Sequence, residues 1–274
     1  MVYDPVQLLA TIDGDKWWIL GGFGIAMVFQ WWWLLECVRV AKRHRAYSMP
    51  LFCTFFWFAH DISCVVRFHD WFVTYDHWYL KCFWFGLLTA ALLELVFFAQ
   101  VVRYGRDEFV PGIGVRTFVA GLVVIQVFAS VGWESIRAVL DDPLYQLSTP
   151  LTIVAYPLFG FALMVRRRST VGQNVTMWLT FVAMAALWFA TTAIWFGGPW
   201  RTWQQLALGA LSIGGGLVMA HLVSGRSTML NRQPREESRR PFRSAQAHAV
   251  EDEGGGLVEQ LLLARRLQTR REQI

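Results

Sequence analysis

Charge is scarce in this chain. Of its 274 residues only 16% are Asp, Glu, Lys or Arg, and 55% are hydrophobic; a soluble domain carries roughly 25% charged residues. That balance excludes an ordinary water-soluble domain and implies a membrane protein. Cysteine is scarce too. Cys37, Cys53, Cys64 and Cys82 fall inside or beside apolar runs, where disulfide frameworks are not built, so free thiols are expected. Lysine is rarer still, with Lys16, Lys42 and Lys81 all outside the last apolar run, which excludes a retinal-type Schiff base there. Residues 1–16 set Asp4, Asp13 and Asp15 against Lys16. That is the wrong charge for a secretory leader, and the apolar run that follows is too long to be one.

What is present is a series of apolar runs, each close to the ~20 residues that a transmembrane helix needs. They cover about Trp17–Val40, Tyr47–Val66, Trp78–Val102, Val115–Trp133, Tyr145–Val165, Asn174–Phe196 and Trp203–Ser224. The expected fold is therefore all-α, a seven-helix transmembrane bundle over residues 17–224. An extracytoplasmic segment over 1–16 precedes it, and a basic cytoplasmic tail over 225–274 follows. The basic residues alternate with the runs: Arg39, Lys42, Arg43 and Arg45, then Arg103, Arg106 and Arg116, then Arg166, Arg167 and Arg168, then the arginines of the tail. Cytoplasmic loops collect the positive excess, which places the amino terminus outside and the carboxyl terminus inside. The membrane is a cytoplasmic membrane or the endoplasmic reticulum, and the basic excess follows topology, so no nucleic-acid partner is implied. In the tail, LVEQLLLARRLQTRREQ reads as a short amphipathic helix. Trp17, Trp18, Trp71, Trp78, Trp133, Trp195, Trp200 and Trp203 fall near the outer boundary and read as an aromatic belt.

The anomaly lies in the second run, AYSMPLFCTFFWFAHDISCVVRFHD, which carries His60 and Asp61 side by side. A charged side chain at the centre of a bilayer costs about 2.5–3.5 kcal/mol on insertion scales, so an intramembrane acid marks a functional site by default. On a helix His60 and Cys64 share a face with Asp61 beside them, which presents Trp57, His60, Asp61 and Cys64 as one stripe. A metal site is not expected, because His60 and His69 are nine positions apart and point to opposite sides of a helix. Two readings stay open: a buried structural acid, or a carboxyl used for proton transfer. Glu94 supplies a second acid at membrane depth in the third run.

Three short motifs carry a resemblance: YSMPL over Tyr47–Leu51 with an acid about ten residues on, ELVFFAQVVRYGR over Glu94–Arg106, and RRRSTVGQ over Arg166–Gln173. Together they resemble the small seven-helix membrane-bound terpene cyclases of fungal and bacterial meroterpenoid pathways, over about residues 45–190. The resemblance implies a cyclase without metal or redox cofactor, which protonates an epoxide or alkene of a prenyl chain and lets the chain fold into rings. The implied substrate is a hydrophobic isoprenoid or a prenylated aromatic. Asp61 stands where the family has its acid, preceded by His60 in place of Trp, and Glu94 stands where the family tends to have Asp. The family's further acid in the last helix has no counterpart here, since Trp203–Ser224 holds no Asp or Glu. The expected catalytic residues are Asp61, His60 and Glu94, and the expected substrate-binding residues are Trp57, Trp84, Trp188 and Cys64. Aromatic faces suit cationic intermediates through cation–π attraction worth about 2 kcal/mol or more when desolvated. A different class, a small proton-coupled transporter or binding protein with an intramembrane carboxylate, fits the same acid.

Overall fold

The computed structural model describes residues 3–230, with side chains to residue 225. Its regular elements, among the described residues, are all helical: α1 Pro5–Gly14, α2 Lys16–His44, α3 Leu51–Val65, α4 Trp78–Gln100, α5 Arg106–Phe109, α6 Val115–Leu140, α7 Thr149–Arg167, α8 Val175–Thr191 and α9 Trp203–Leu230. Local chemistry sets the boundaries. Asp4 accepts from the amides of Val6 and Gln7 to open α1, with Pro5 in the first turn where its missing N–H is no loss. Asn174 accepts from the Met177 amide to open α8. Arg45, Asp141 and Arg168 turn left-handed to close α2, α6 and α7.

Six helical stretches are long and apolar enough to cross a membrane: Lys16–His44, Trp78–Phe109, Val115–Leu140, Thr149–Arg167, Val175–Phe196 and Trp203–Gly225. The protein is a multi-pass membrane protein. The run expected over Tyr47–Val66 is helical over Leu51–Val65, 15 residues, or about 22 Å against a hydrocarbon core of about 30 Å. Its first residues are spent otherwise. Ser48 is buried and donates to the Cys37 carbonyl at 2.7 Å, so the chain enters the bundle as a loop before α3 starts. The helix then packs against α4, α6 and α7, and its side chains meet protein on most faces. The basic tail and its expected amphipathic helix lie outside the described residues.

The three motifs of the resemblance converge at one end of the bundle. Tyr47 donates to Glu108, which also accepts from Arg166 and, at 3.1 and 3.0 Å, from Arg167. Arg167 donates to the Tyr47 carbonyl at 2.9 Å and lies 4.0 Å over the Tyr47 ring. Two glycines permit this closeness. Gly172 has φ +87°, and a Cβ there would stand 2.8 Å from the Tyr47 carbonyl oxygen; a Cβ at Gly105 would stand 3.0 Å from the Tyr47 ring.

The expected belt divides. Trp17, Trp18 and Trp203 are exposed on the surface as belt residues are, but Trp71, Trp133 and Trp200 are buried. Trp133 stacks edge-on to Phe56, and Trp71 packs against Phe83 and Tyr145. A tryptophan near a boundary faces lipid only if its helix face does, and these three turn inward.

Candidate active site

His60 and Asp61 lie about two and a half turns into α3 and are 2% and 6% exposed. His60 Nδ1 and Asp61 Oδ1 are 2.5 Å apart, and the other ring nitrogen, Nε2, is 3.2 Å from Thr149 Oγ1 at the start of α7. The Thr149 hydroxyl has one proton, which it gives to the Tyr145 carbonyl at 2.6 Å. Its oxygen therefore accepts from His60, and Nε2 carries a hydrogen. A second proton must then lie on the line between Nδ1 and Asp61, because two bare acceptors would repel at 2.5 Å. The pair holds that proton as a neutral acid and imidazole or as an ion pair. In both forms it is net neutral and carries a proton to donate.

The loop before α7 sets where Thr149 stands. Asp142 is fully buried and accepts five hydrogen bonds: the Tyr3 hydroxyl at 2.5 Å, the Gln146 amide at 3.0 Å, the Leu147 amide at 3.0 Å, and the amide and hydroxyl of Ser148 at 2.8 Å each. Burial and the neighbouring Asp142 charge push the Tyr3 hydroxyl up from its usual range, which keeps it a donor. This knot pins residues 146–148, and Thr149 follows directly.

Asp61 and His60 line a cavity of about 320 Å³, within the size range of small-molecule sites. Its walls come from α2, α3, α4, α7 and α8 and are mostly apolar and aromatic, with Phe23, Trp33, Trp57, Tyr79, Phe83 and Trp188 among them. Trp57 is fixed by donating to the Thr152 carbonyl at 2.9 Å, and Trp33 meets it edge-on at 5.3 Å. Trp133 closes the other side of the acid pair, its ring edge-on to His60 at 4.8 Å. Glu94, on α4, lines the same cavity, is 3% exposed, and has no hydrogen-bond partner among the described residues. Such a group is an exception among buried carboxyls, which are nearly always bonded.

The structure thus brings five of the seven expected site residues together: Asp61, His60, Glu94, Trp57 and Trp188. Trp84 and Cys64 are not among the cavity's lining residues. Trp84 donates to the Val65 carbonyl at 3.0 Å and packs against Phe68 and Phe72. Cys64 is fully buried in the cluster around Trp71, Trp133 and Tyr145. Two other polar residues at membrane depth are bonded away from the cavity, Glu36 accepting from Asn174 at 2.6 Å and Gln126 donating to the Phe55 carbonyl at 3.2 Å, whereas Gln30 of α2 lines it. Sequence reasoning missed Thr149, whose one visible signal is the repetition of Ser-Met-Pro-Leu at 48–51 as Ser-Thr-Pro-Leu at 148–151. Those two segments open α3 and α7, the helices that the His60–Thr149 contact joins.

Compared with known proteins, the chain matches no family model, no curated protein and no solved structure. The chemistry of the cavity therefore rests on its geometry. A proton donor, an unpartnered carboxyl and aromatic walls in an oily enclosure suit acid-initiated rearrangement of an apolar substrate.

Proposed function

We propose that the protein is an integral membrane terpene cyclase that starts ring closure of a prenyl chain by protonation. The observation that carries this reading is the His60–Asp61 pair, which presents a shared proton to an aromatic-walled apolar cavity. Asp61 delivers the proton to an epoxide oxygen or an alkene carbon, and His60 holds and orients the acid. Thr149 fixes the ring of His60 as a positioning residue. The cation that forms is sheltered from nucleophiles by Trp33, Trp57 and Trp188, and the polyene folds as its π-electrons close the rings. Loss of a proton to a carboxylate ends the reaction; Glu94, unpartnered among the described residues, is the acceptor on the cavity wall, and the proton returns across the cavity to Asp61 for the next turnover. The net result is an isomer of unchanged mass. In this reading α3 counts as a seventh crossing, short because protein rather than lipid surrounds it. The amino terminus lies outside, following the alternation of basic loops.

Membranes containing the protein, incubated with farnesyl- or geranylgeranyl-bearing aromatic compounds and their terminal epoxides, are expected to yield cyclic isomers. Asp61→Asn removes the shared proton while keeping the shape, and turnover is expected to fall by about 10²–10⁴-fold, the usual worth of a general acid. Full activity in a folded Asp61→Asn protein refutes the assignment. Proton-dependent uptake of a polar solute into vesicles, with no ring formation, favours a transporter instead.

A further inference from the structure

α2 and α4 both contribute to the wall of the cavity. Gly24 on α2 and Cys82 on α4 each line the cavity and are each exposed on the outside of the bundle. A Cβ built at Gly24 meets no atom within 4 Å, and one built at Gly86 meets the end of the Met27 side chain at 3.0 Å. Between these two helices the barrier is therefore glycine on both sides and one flexible thioether. Gly24 and Gly86 each lie eight residues beyond the first residue of their helix, or about 12 Å along its axis. That depth falls within a hydrocarbon core of about 30 Å. The exposed large side chains flanking the opening are Ile25 and Val28 on α2 and Phe85 on α4, a surface that suits lipid tails and not water.

We infer that the cavity opens sideways into the bilayer between α2 and α4, and that it takes an isoprenoid-like apolar chain which arrives dissolved in lipid. The inference rests on the proposed function only in treating the cavity as a binding site for such a chain; it does not depend on the reaction. An occupant entering this way need not cross the aqueous face, and its polar end can remain near the outer ends of the helices while the hydrocarbon slides in past Met27.

The test uses the full-length protein in phosphatidylcholine vesicles, mixed with vesicles preloaded with a diazirine-bearing farnesol and photolysed at intervals. Peptide mass spectrometry reads where and how fast the label appears. In the wild type, label is expected on the cavity faces of α2 and α4. Gly24→Trp and, separately, Leu20→Trp, another lining residue of α2, are expected to slow capture about tenfold with an unchanged final level, as a blocked entry slows association. Gly132→Trp, an exposed glycine on α6 with open space beside it, is expected to stay within about twofold of wild type. Capture at the wild-type rate in both folded mouth variants overturns lateral entry. A lower final level at an unchanged rate overturns it too, because the new rings then fill the cavity instead of gating it. Absence of label from the wild-type cavity removes the isoprenoid-binding reading itself. Equal binding by Asp61→Asn separates occupancy from chemistry.

Discussion

Asp142 and Glu94 are both buried acids, and the protein treats them in opposite ways. Asp142 is saturated: five donors from two stretches of chain close on its two oxygens. Glu94 has no partner among the described residues and faces a cavity. Asp61 lies between them, bonded on one oxygen to His60. A satisfied buried carboxylate stabilises a fold because its donors would otherwise be stranded. An unsatisfied one costs stability, and proteins keep such groups where chemistry uses them. The comparison assigns Asp142 to architecture and agrees with the proposal that Glu94, with Asp61, takes part in a reaction.

Three changes sharpen or break it. The largest effect is expected from Asp142→Ala, which strands the Tyr3 hydroxyl, three backbone amides and the Ser148 hydroxyl. At about 1–3 kcal/mol for each stranded donor, a loss of about 3 kcal/mol or more is expected even after relaxation. Denaturant titration of the protein in detergent measures it; unchanged stability with lost turnover would invert the two roles. Glu94→Gln comes next. It is expected to leave the unfolding midpoint in place and to lower turnover about 10–100-fold, part of the range for proton transfer. A variant that melts early yet retains turnover would make Glu94 architectural.

The smallest effect belongs to Asp13, an acid of the exposed kind. Its carboxylate accepts from Trp78 Nε1 at 2.7 Å. That hydrogen bond, opposed by slight burial and helped by His77 and Lys16, holds it below the usual carboxylate range. A carboxyl depressed on folding adds stability above its unfolded pKa and loses it as pH falls through the folded value. The contribution is therefore present at neutral pH and fades below about pH 4. For an exposed group it amounts to about 0.5 kcal/mol. The melting temperature of the wild type is expected to fall more steeply from pH 4 to pH 2 than that of Asp13→Asn, and parallel curves would show that the Trp78 bond adds nothing.

How much of this is readable in the sequence depends on the range of the interaction. Apolar runs are local, so six spans are legible, though the runs expected to end at Val102 and Trp133 continue to Phe109 and Leu140, and the charge anomaly at Asp61 stands out against its neighbours. The short α3 is not legible as such, because Ser48 ends the loop by reaching back to Cys37. The partner that decides His60 is Thr149, 89 positions away, and nothing in composition or period joins them. Helix-face reasoning places Cys64 with His60, yet α3 is enclosed on most sides, so one face looks into the cavity and another into the Trp71–Trp133 cluster. Trp133 and Trp71 read as belt residues for the same reason: position along a helix is visible in sequence, but rotation about its axis is set by neighbours. Asp142 sits in an Asp-Asp-Pro loop with the look of a solvated turn, and only the fold brings Tyr3 onto it.

The hydrogen-bond line from Asp61 through His60 and Thr149 stops at the carbonyl of Tyr145, and a carbonyl oxygen has no hydrogen to pass on. Along that line the acid is a cul-de-sac: what it lends to the hollow has to be repaid from the hollow. A gradient-driven carrier needs a thoroughfare with two ends. A catalyst whose product weighs the same as its substrate needs only a loan.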